Sequence, residues 1–408
     1  MPATDQADSG RCWMFGTLNL FRFGTRGKLG LDDFEFSESY LLFYYLLEQA
    51  NFMLELFWND LKDKPLEDRV VQNFLEWPID DGGDWGIAVN LIQKYGLVPK
   101  DVYSESYSSQ DTGEMDQFLV QLVVSAIFRM RQAQGGIDTE EAFAKLKSQC
   151  LADCHRVLTI HLGTPPTPTS KFTWSWRDDT EDEAFHTLCD ITPIEFCQKF
   201  VTVPYQDYVS LINDDRHDYY YRYQVEYAMP MCGGKPIQFV NIPIDEMKSM
   251  ALAMLRDKLP VFFACVVELE LDDDVGLWDA DMYETQQFYR VSVATMSKAD
   301  RVRFGVTSMG DHVMLITGVH LDEEDRPIRW RVENSWGEAS GMDGYFAMND
   351  NWFALNVFEI VAPPSYLSNA ATQSFLKDVR TLPPWDPMSA TGSRGRRRSR
   401  RLGSRVQR

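Results

Sequence analysis

Apolar positions recur at helical spacing through the first third of the chain. From Cys12 to about Phe23 they form a stripe of Trp13, Phe15, Leu18, Leu20 and Phe21, which predicts a helix. Ser37 stands where an N-cap belongs, ahead of the run SYLLFYYLLEQANFMLELF, so a second helix is expected there. A third begins at about Trp85 and carries Ile87, Ala88, Leu91 and Ile92 on one face; Gly96 sits at its C-terminal cap, with Pro99 following. Residues from about 115 to 162 predict two more, broken at Gly135-Gly136 and ended by Gly163 and TPPTPTS. Beyond Phe172, short helices at about 193–201 and 244–258 alternate with β-like runs rich in Val, Phe and Tyr. The last third is the most strand-like, with DHVMLITGVHL, IRWRVENSW and GYFAMND, and the polar DEEDRP joins the first two as a hairpin. No internal repeat is visible. Helices first and sheet last predict an α+β class with a cleft between the two parts.

A length of 408 residues suggests two or three domains, or one elaborated domain, with a core that needs no disulfide staples. The boundaries expected are 1–110 for a helical part, 111–240 for a mainly helical insertion and 241–388 for a β-rich part, with 389–408 as a basic disordered tail. At 44% hydrophobic and 25% charged, the composition excludes collagen-like, coiled-coil and wholly disordered proteins. The net charge of −21 is unevenly spread, because eight arginines and no acid lie beyond residue 390. The remaining 32 basic and 61 acidic residues leave the body at −29, which repels nucleic acid and anionic membranes. Nucleic acid or another acidic partner is therefore expected only through the tail, as part of an alternative reading in which the chain is a catalytically weak scaffold. The start MPATDQADSG has no basic and apolar signal regions, and the longest nearly uninterrupted apolar stretch, 259–267, is too short for a membrane helix. Seven sparse cysteines do not make a disulfide framework. A cytoplasmic protein without membrane partners is expected.

Candidate chemistry begins at Cys12, which opens a helix. Unpaired backbone N–H groups and the helix dipole favour a thiolate at such a place. A thiolate nucleophile needs a proton-transfer partner, and acyl transfer needs donors aimed at the developing oxyanion. Gln6 offers a side-chain N–H for that purpose, and Cys12 its own backbone N–H. His312 opens an apolar strand, and Asn334 follows 22 residues later in Glu333-Asn334-Ser335-Trp336-Gly337. A hairpin sets these two side by side, so that Asn334 fixes one imidazole nitrogen and leaves the other for sulfur. Trp336 then covers that hydrogen bond from water. Taken singly, such a cysteine is more often a buried structural residue and such a histidine a satisfied strand residue; the three together point to a nucleophile, a base and an orienter. No metal or cofactor is expected. Cys150, Cys154 and His161 fall on one helical face with no second ligand pair, and the acidic run 268–274 lacks the glycine a calcium loop requires.

The Gln6-x5-Cys12-Trp13, Asp311-His312 and Asn334-Ser335-Trp336-Gly337 motifs resemble the papain-like cysteine peptidases. The resemblance is closest to the bleomycin hydrolase branch, which shares Ser9-Gly10-Arg11-Cys12-Trp13. Further matches are Glu35-Phe36-Ser37-Glu38-Ser39-Tyr40, Asp81-Gly82-Gly83-Asp84-Trp85, Phe172-Thr173-Trp174 and Trp385-Asp386-Pro387-Met388. The interval from Cys12 to His312 is 300 residues, against roughly 130–150 in papain relatives. The resemblance runs from residue 6 to about 388. It implies a papain-like two-part fold with a large helical insertion, a homohexamer, and thiol aminopeptidase or bleomycin-inactivating activity on peptides. It also implies that Cys12 is the nucleophile, His312 the base then acid, Asn334 the orienter and Gln6 the oxyanion donor. Gly82 and Gly83 match a stretch whose backbone pairs with substrate. Three departures stand out. The family carries a longer segment ahead of the nucleophile, which bears on assembly and stability. Val313 replaces the family's usual alanine. The family's chain ends shortly after its WDPM, placing a carboxylate in the cleft to receive the substrate's amino group, whereas here about twenty residues follow Met388.

Overall fold

The computed structural model describes residues 1–132, 136–180, 183–267 and 269–389. The Arg-rich tail, and with it the expectation of nucleic-acid binding, lies outside the described residues, as do Gly135 and Glu268. The first helix spans Cys12–Leu29, beyond the expected end near Phe23. Gly24 and Gly27 read as helix breakers, yet Gly24 is the point of closest approach to a neighbour. A Cβ there would stand 1.8 Å from Thr202 Oγ1, so the glycine serves packing and the helix continues. It ends at Gly30, whose φ of 68° is one that glycine adopts without strain. Ser37 caps the Glu38–Leu56 helix by accepting from the Tyr40 N–H at 3.1 Å. Asp84 caps Trp85–Tyr95 through the Ile87 N–H, and Gly96 closes that helix.

The expected pair of helices on either side of Gly136 spans Gly113–Arg131 and Glu140–Leu162. Their apolar faces, including Leu119, Val123, Leu146, Cys154 and Leu158, join the same core as the first helices. Cys150 contacts the Leu122 carbonyl at 3.8 Å and His161 pairs with Ser108, so both serve helix packing. Phe172–Arg177 and Phe185–Ile191 pair as a separate antiparallel ribbon.

The remaining strands build one sheet, in which Val261–Cys265 lies between Val357–Ala362 and His312–Leu321. The DEEDRP turn does join His312–Leu321 to Pro327–Glu333 as an antiparallel pair, and Tyr345–Asn349 adds to the latter. The central strands are apolar on both faces because both faces are covered. Phe262, Ala264, Val313 and Leu315 point into the helical core. Their neighbours Phe263, Cys265, Met314 and Ile316 point into a second core behind the sheet, with Trp330, Phe346 and Trp352. Period-two alternation therefore joins two cores through one set of strands.

Two acids are sealed into these cores. Glu38 and Glu359 are 1% and 2% exposed. Burial, reinforced by Glu35 and Glu105 at the first and by Asp84 at the second, pushes both carboxyls up to about 8. Both stay protonated at neutral pH while folded and ionise on unfolding, so stability falls as pH rises from the ordinary carboxylate range toward 8. Replacing both by glutamine should flatten that decline. Thermal melts of the double variant should show a midpoint several degrees higher than the parent at pH 8 and little change at pH 5; parallel pH profiles would contradict burial of two neutral acids.

Candidate active site

Cys12 is the first residue of its helix and is 2% exposed. At that position its backbone N–H has no acceptor within the helix. One turn on, Gly16 meets the sheet. A Cβ there would lie 2.7 Å from Val313 Cγ1 and 3.5 Å from the Phe262 ring. The helix therefore approaches the His312 strand where a side chain is missing, and Val313, bulkier than the family's usual alanine, fills that space. Cys265 lies opposite His312 in the ladder. Burial, then Asp311 and Cys12, pushes its thiol well above the ordinary range.

Asn334 follows the last paired residue of its strand, Glu333, which sits opposite Leu315. Its Oδ1 lies 2.7 Å from His312 Nε2 and also accepts the Ser335 N–H at 2.8 Å. Two donors on one oxygen fix the amide's orientation, so Nε2 carries the imidazole proton and Nδ1 is the ring's acceptor nitrogen. Asn334 is fully buried, and the Trp336 ring lies 4.9 Å from the imidazole at a 30° tilt. The expected juxtaposition of His312, Asn334 and Trp336 is thus present.

Gln6 joins them from the other end of the chain. Its N–H donates to the Ser335 carbonyl at 2.9 Å, and its Oε1 accepts the Ser335 hydroxyl at 2.6 Å. Its Nε2 donates to the Ser9 carbonyl at 2.6 Å, and an amide nitrogen carries a second hydrogen beyond that one. The Asp5–Trp336 bridge and the Gly337 N–H to Thr4 carbonyl bond pin the same two segments together. Sequence reasoning missed Ser335 as the link between Gln6 and Asn334; the contact spans 329 residues, and only its place inside the NSWG motif marks it.

Gly82 and Gly83 differ in what they do. Gly82 uses both backbone groups internally, donating to Asp80 Oδ1 at 2.7 Å and accepting from the Tyr45 hydroxyl. Among the described residues nothing takes up the backbone N–H and C=O of Gly83. A Cβ on Gly83 would lie 2.6–2.9 Å from the Trp13 indole, whose N–H donates to the Asp81 carbonyl at 2.9 Å. Pro384 and Ser389 line the same groove as these glycines. This arm is anchored by Asp386, which accepts from Arg216 at 2.9 Å. Burial opposes ionisation of Asp386, but His217, the Met388 N–H and Arg216 outweigh it and hold the carboxyl down to about 2. Arg69 stacks on Trp385. The sequence motif was recognised, but its anchoring partners 170 residues away had no signal.

No metal-ligating cluster occurs among the described residues, and no described helix is long and apolar enough to cross a membrane. Residues 1–389 match the sequence model of the Peptidase C1-like family. The chain is 36% identical to rat (Rattus norvegicus) bleomycin hydrolase over 396 residues, covering 95% of this chain and 86% of that one. It is 35% identical to aminopeptidase C of Lactobacillus delbrueckii subsp. lactis, covering 95% and 85% respectively. Its fold is similar to the crystal structure of PepW from Lactobacillus rhamnosis, with a TM-score of 0.89 at 34% identity, covering 95% of this chain and 86% of PepW.

The Gly16–Val313 contact is directly testable. In an uncrowded helix interior Gly→Ala stabilises by about 1 kcal/mol; here Gly16→Ala should instead destabilise by roughly 1–3 kcal/mol through overpacking. Adding Val313→Ala should recover most of that loss in denaturant titrations. A more stable Gly16→Ala single variant would contradict close packing at this point.

Proposed function

The chain belongs to the Peptidase C1-like family, and from that premise we infer that it is a cysteine-type aminopeptidase of the bleomycin hydrolase kind. It hydrolyses amide bonds near the amino end of peptides through a thioester. The observation that carries the assignment of roles is the His312–Asn334 pair, whose geometry leaves the acceptor nitrogen of the imidazole for a thiol. Cys12 is the proposed nucleophile. Its sulfur, as thiolate, attacks the scissile carbonyl carbon while His312 holds the thiol's proton. The carbonyl oxygen becomes an oxyanion, received by the second hydrogen of Gln6 Nε2 and by the Cys12 N–H. Collapse breaks the C–N bond as His312 passes its proton to the departing amine, which leaves an acyl-Cys12 thioester. Water then attacks, with His312 taking its proton, and the acid is released as the thiolate returns. Asn334 keeps the ring in one orientation throughout, and Trp336 shields that hydrogen bond.

Gly83 is the proposed partner for the substrate's backbone, supported by its unengaged N–H and C=O beside the nucleophile helix. Gly82, committed to Asp80 and Tyr45, is the proposed support of that turn. Pro384 and Ser389 line the groove together with Gly82 and Gly83, which supports a short amino-terminal stretch of substrate over a long one. A homohexamer and a cytoplasmic location are proposed on the family resemblance, the latter supported also by the sparse cysteines. The scaffold alternative finds no support in the relatives described, which are named as a hydrolase and an aminopeptidase.

Cys12→Ala should abolish hydrolysis of free-amine dipeptide amides, a loss of at least roughly 10⁴-fold if the triad acts as a unit. The parent should cleave such substrates faster than their N-acetylated forms, and an irreversible thiol-directed peptidase inhibitor should label Cys12. Residual turnover by Cys12→Ala would sink the assignment, and equal rates on blocked substrates would sink the exopeptidase part of it.

A further inference from the structure

Arg11 stands immediately before Cys12 and is fully buried. A guanidinium sealed from water is strongly unfavourable unless it is paired, and this one is paired with a specific set. Nη1 donates to Glu105 Oε1 at 2.9 Å, and Nη2 lies 2.8 Å from Oε2. Nε donates to Ser9 Oγ at 2.9 Å. Glu105 is itself fixed by the hydroxyls of Ser39 at 2.9 Å and Ser109 at 2.6 Å. The Arg11 side chain makes no capping bond to its own helix, so helix initiation does not explain the buried guanidinium.

Ser9 in turn grips Gln6 twice. Its hydroxyl donates to the Gln6 backbone carbonyl, and its own carbonyl accepts from Gln6 Nε2. Ser335 holds the opposite end of the same amide. The plane of the Gln6 amide is therefore set from two sides, and one side leads through Ser9 and Arg11 to Glu105. We propose that the Arg11–Glu105 ion pair is a positioning device for the oxyanion donor: it holds Ser9 so that the second Nε2 hydrogen of Gln6 points to the carbonyl oxygen under attack. The inference rests on the role proposed for Gln6, and it deepens that role.

A cation beside a nucleophile can also act through its field on the thiolate, and the two effects separate experimentally. Alkylation by iodoacetamide requires the thiolate but develops no oxyanion, whereas peptide acylation requires both. Ser9→Ala, which deletes only a hydroxyl, and Arg11→Lys, which keeps the charge but loses the fork, should each lower kcat on a free-amine peptide amide by roughly 10- to 100-fold, less than the roughly 100- to 1,000-fold of an oxyanion donor removed outright. KM should stay within about twofold, and the rate and pH profile of Cys12 alkylation should not move. On a Gln6→Ala background, which should itself lower kcat, Ser9→Ala should add almost nothing. Unchanged kcat in both variants, a parallel fall or pH shift in alkylation, or full additivity with Gln6→Ala would each overturn the proposal. A Gln6→Ala enzyme with undiminished kcat would overturn it from the other side, by removing the role of Gln6 itself.

Discussion

The helix that begins at Cys12 and the strand that begins at His312 meet at Gly16 and Val313, and everything in the cleft follows from how closely they meet. Gly16 brings the helix axis against the strand, so that the residue one turn earlier reaches the strand's end. Val313 fills the space, and its alternation partners Met314 and Ile316 tie the strand to the second core behind the sheet. A loosened contact here would separate the sulfur from the imidazole without touching either residue. Such sites depend on positions held to fractions of an ångström by elements whose own packing is complete.

Around that contact runs a continuous set of hydrogen bonds. It passes from His312 to Asn334, then through Ser335 to Gln6 and Ser9, and ends at Arg11 and Glu105. Each link is buried or nearly so, where directional bonds are strongest and unmade ones most unfavourable. The proposed base side and the proposed oxyanion side of the cleft therefore share one framework, with Ser335 as its junction.

Local features of this fold were legible in the sequence because their causes are local. The Ser37 cap, the Gly96 end and the DEEDRP hairpin each depend on residues within a turn or two of one another. The thiol at a helix start, the strand-opening histidine and the asparagine beyond the turn were legible for the same reason. The first helix extends six residues beyond its apolar stripe, and its continuation through Gly24 is explained by a close approach to Thr202 that local pattern does not show. The sheet order was not legible, since Val357–Ala362 inserts between strands far earlier in the chain. The Arg11–Glu105 pair was equally hidden, because periodicity carries no information about which distant acid a buried cation will meet.

The pinning of Thr4, Asp5 and Gln6 to residues 335–337 joins segments far apart in the chain, 329 residues for Gln6 and Ser335. The segment of the proposed nucleophile is synthesised before the proposed base and the other half of the proposed oxyanion framework, which emerge some 300 residues later. Pairings of such separation form late in folding. A growing chain thus carries Cys12 well before His312 is made, and the proposed peptide cutting begins only once residues 335–337 have closed onto the segment ahead of that thiol.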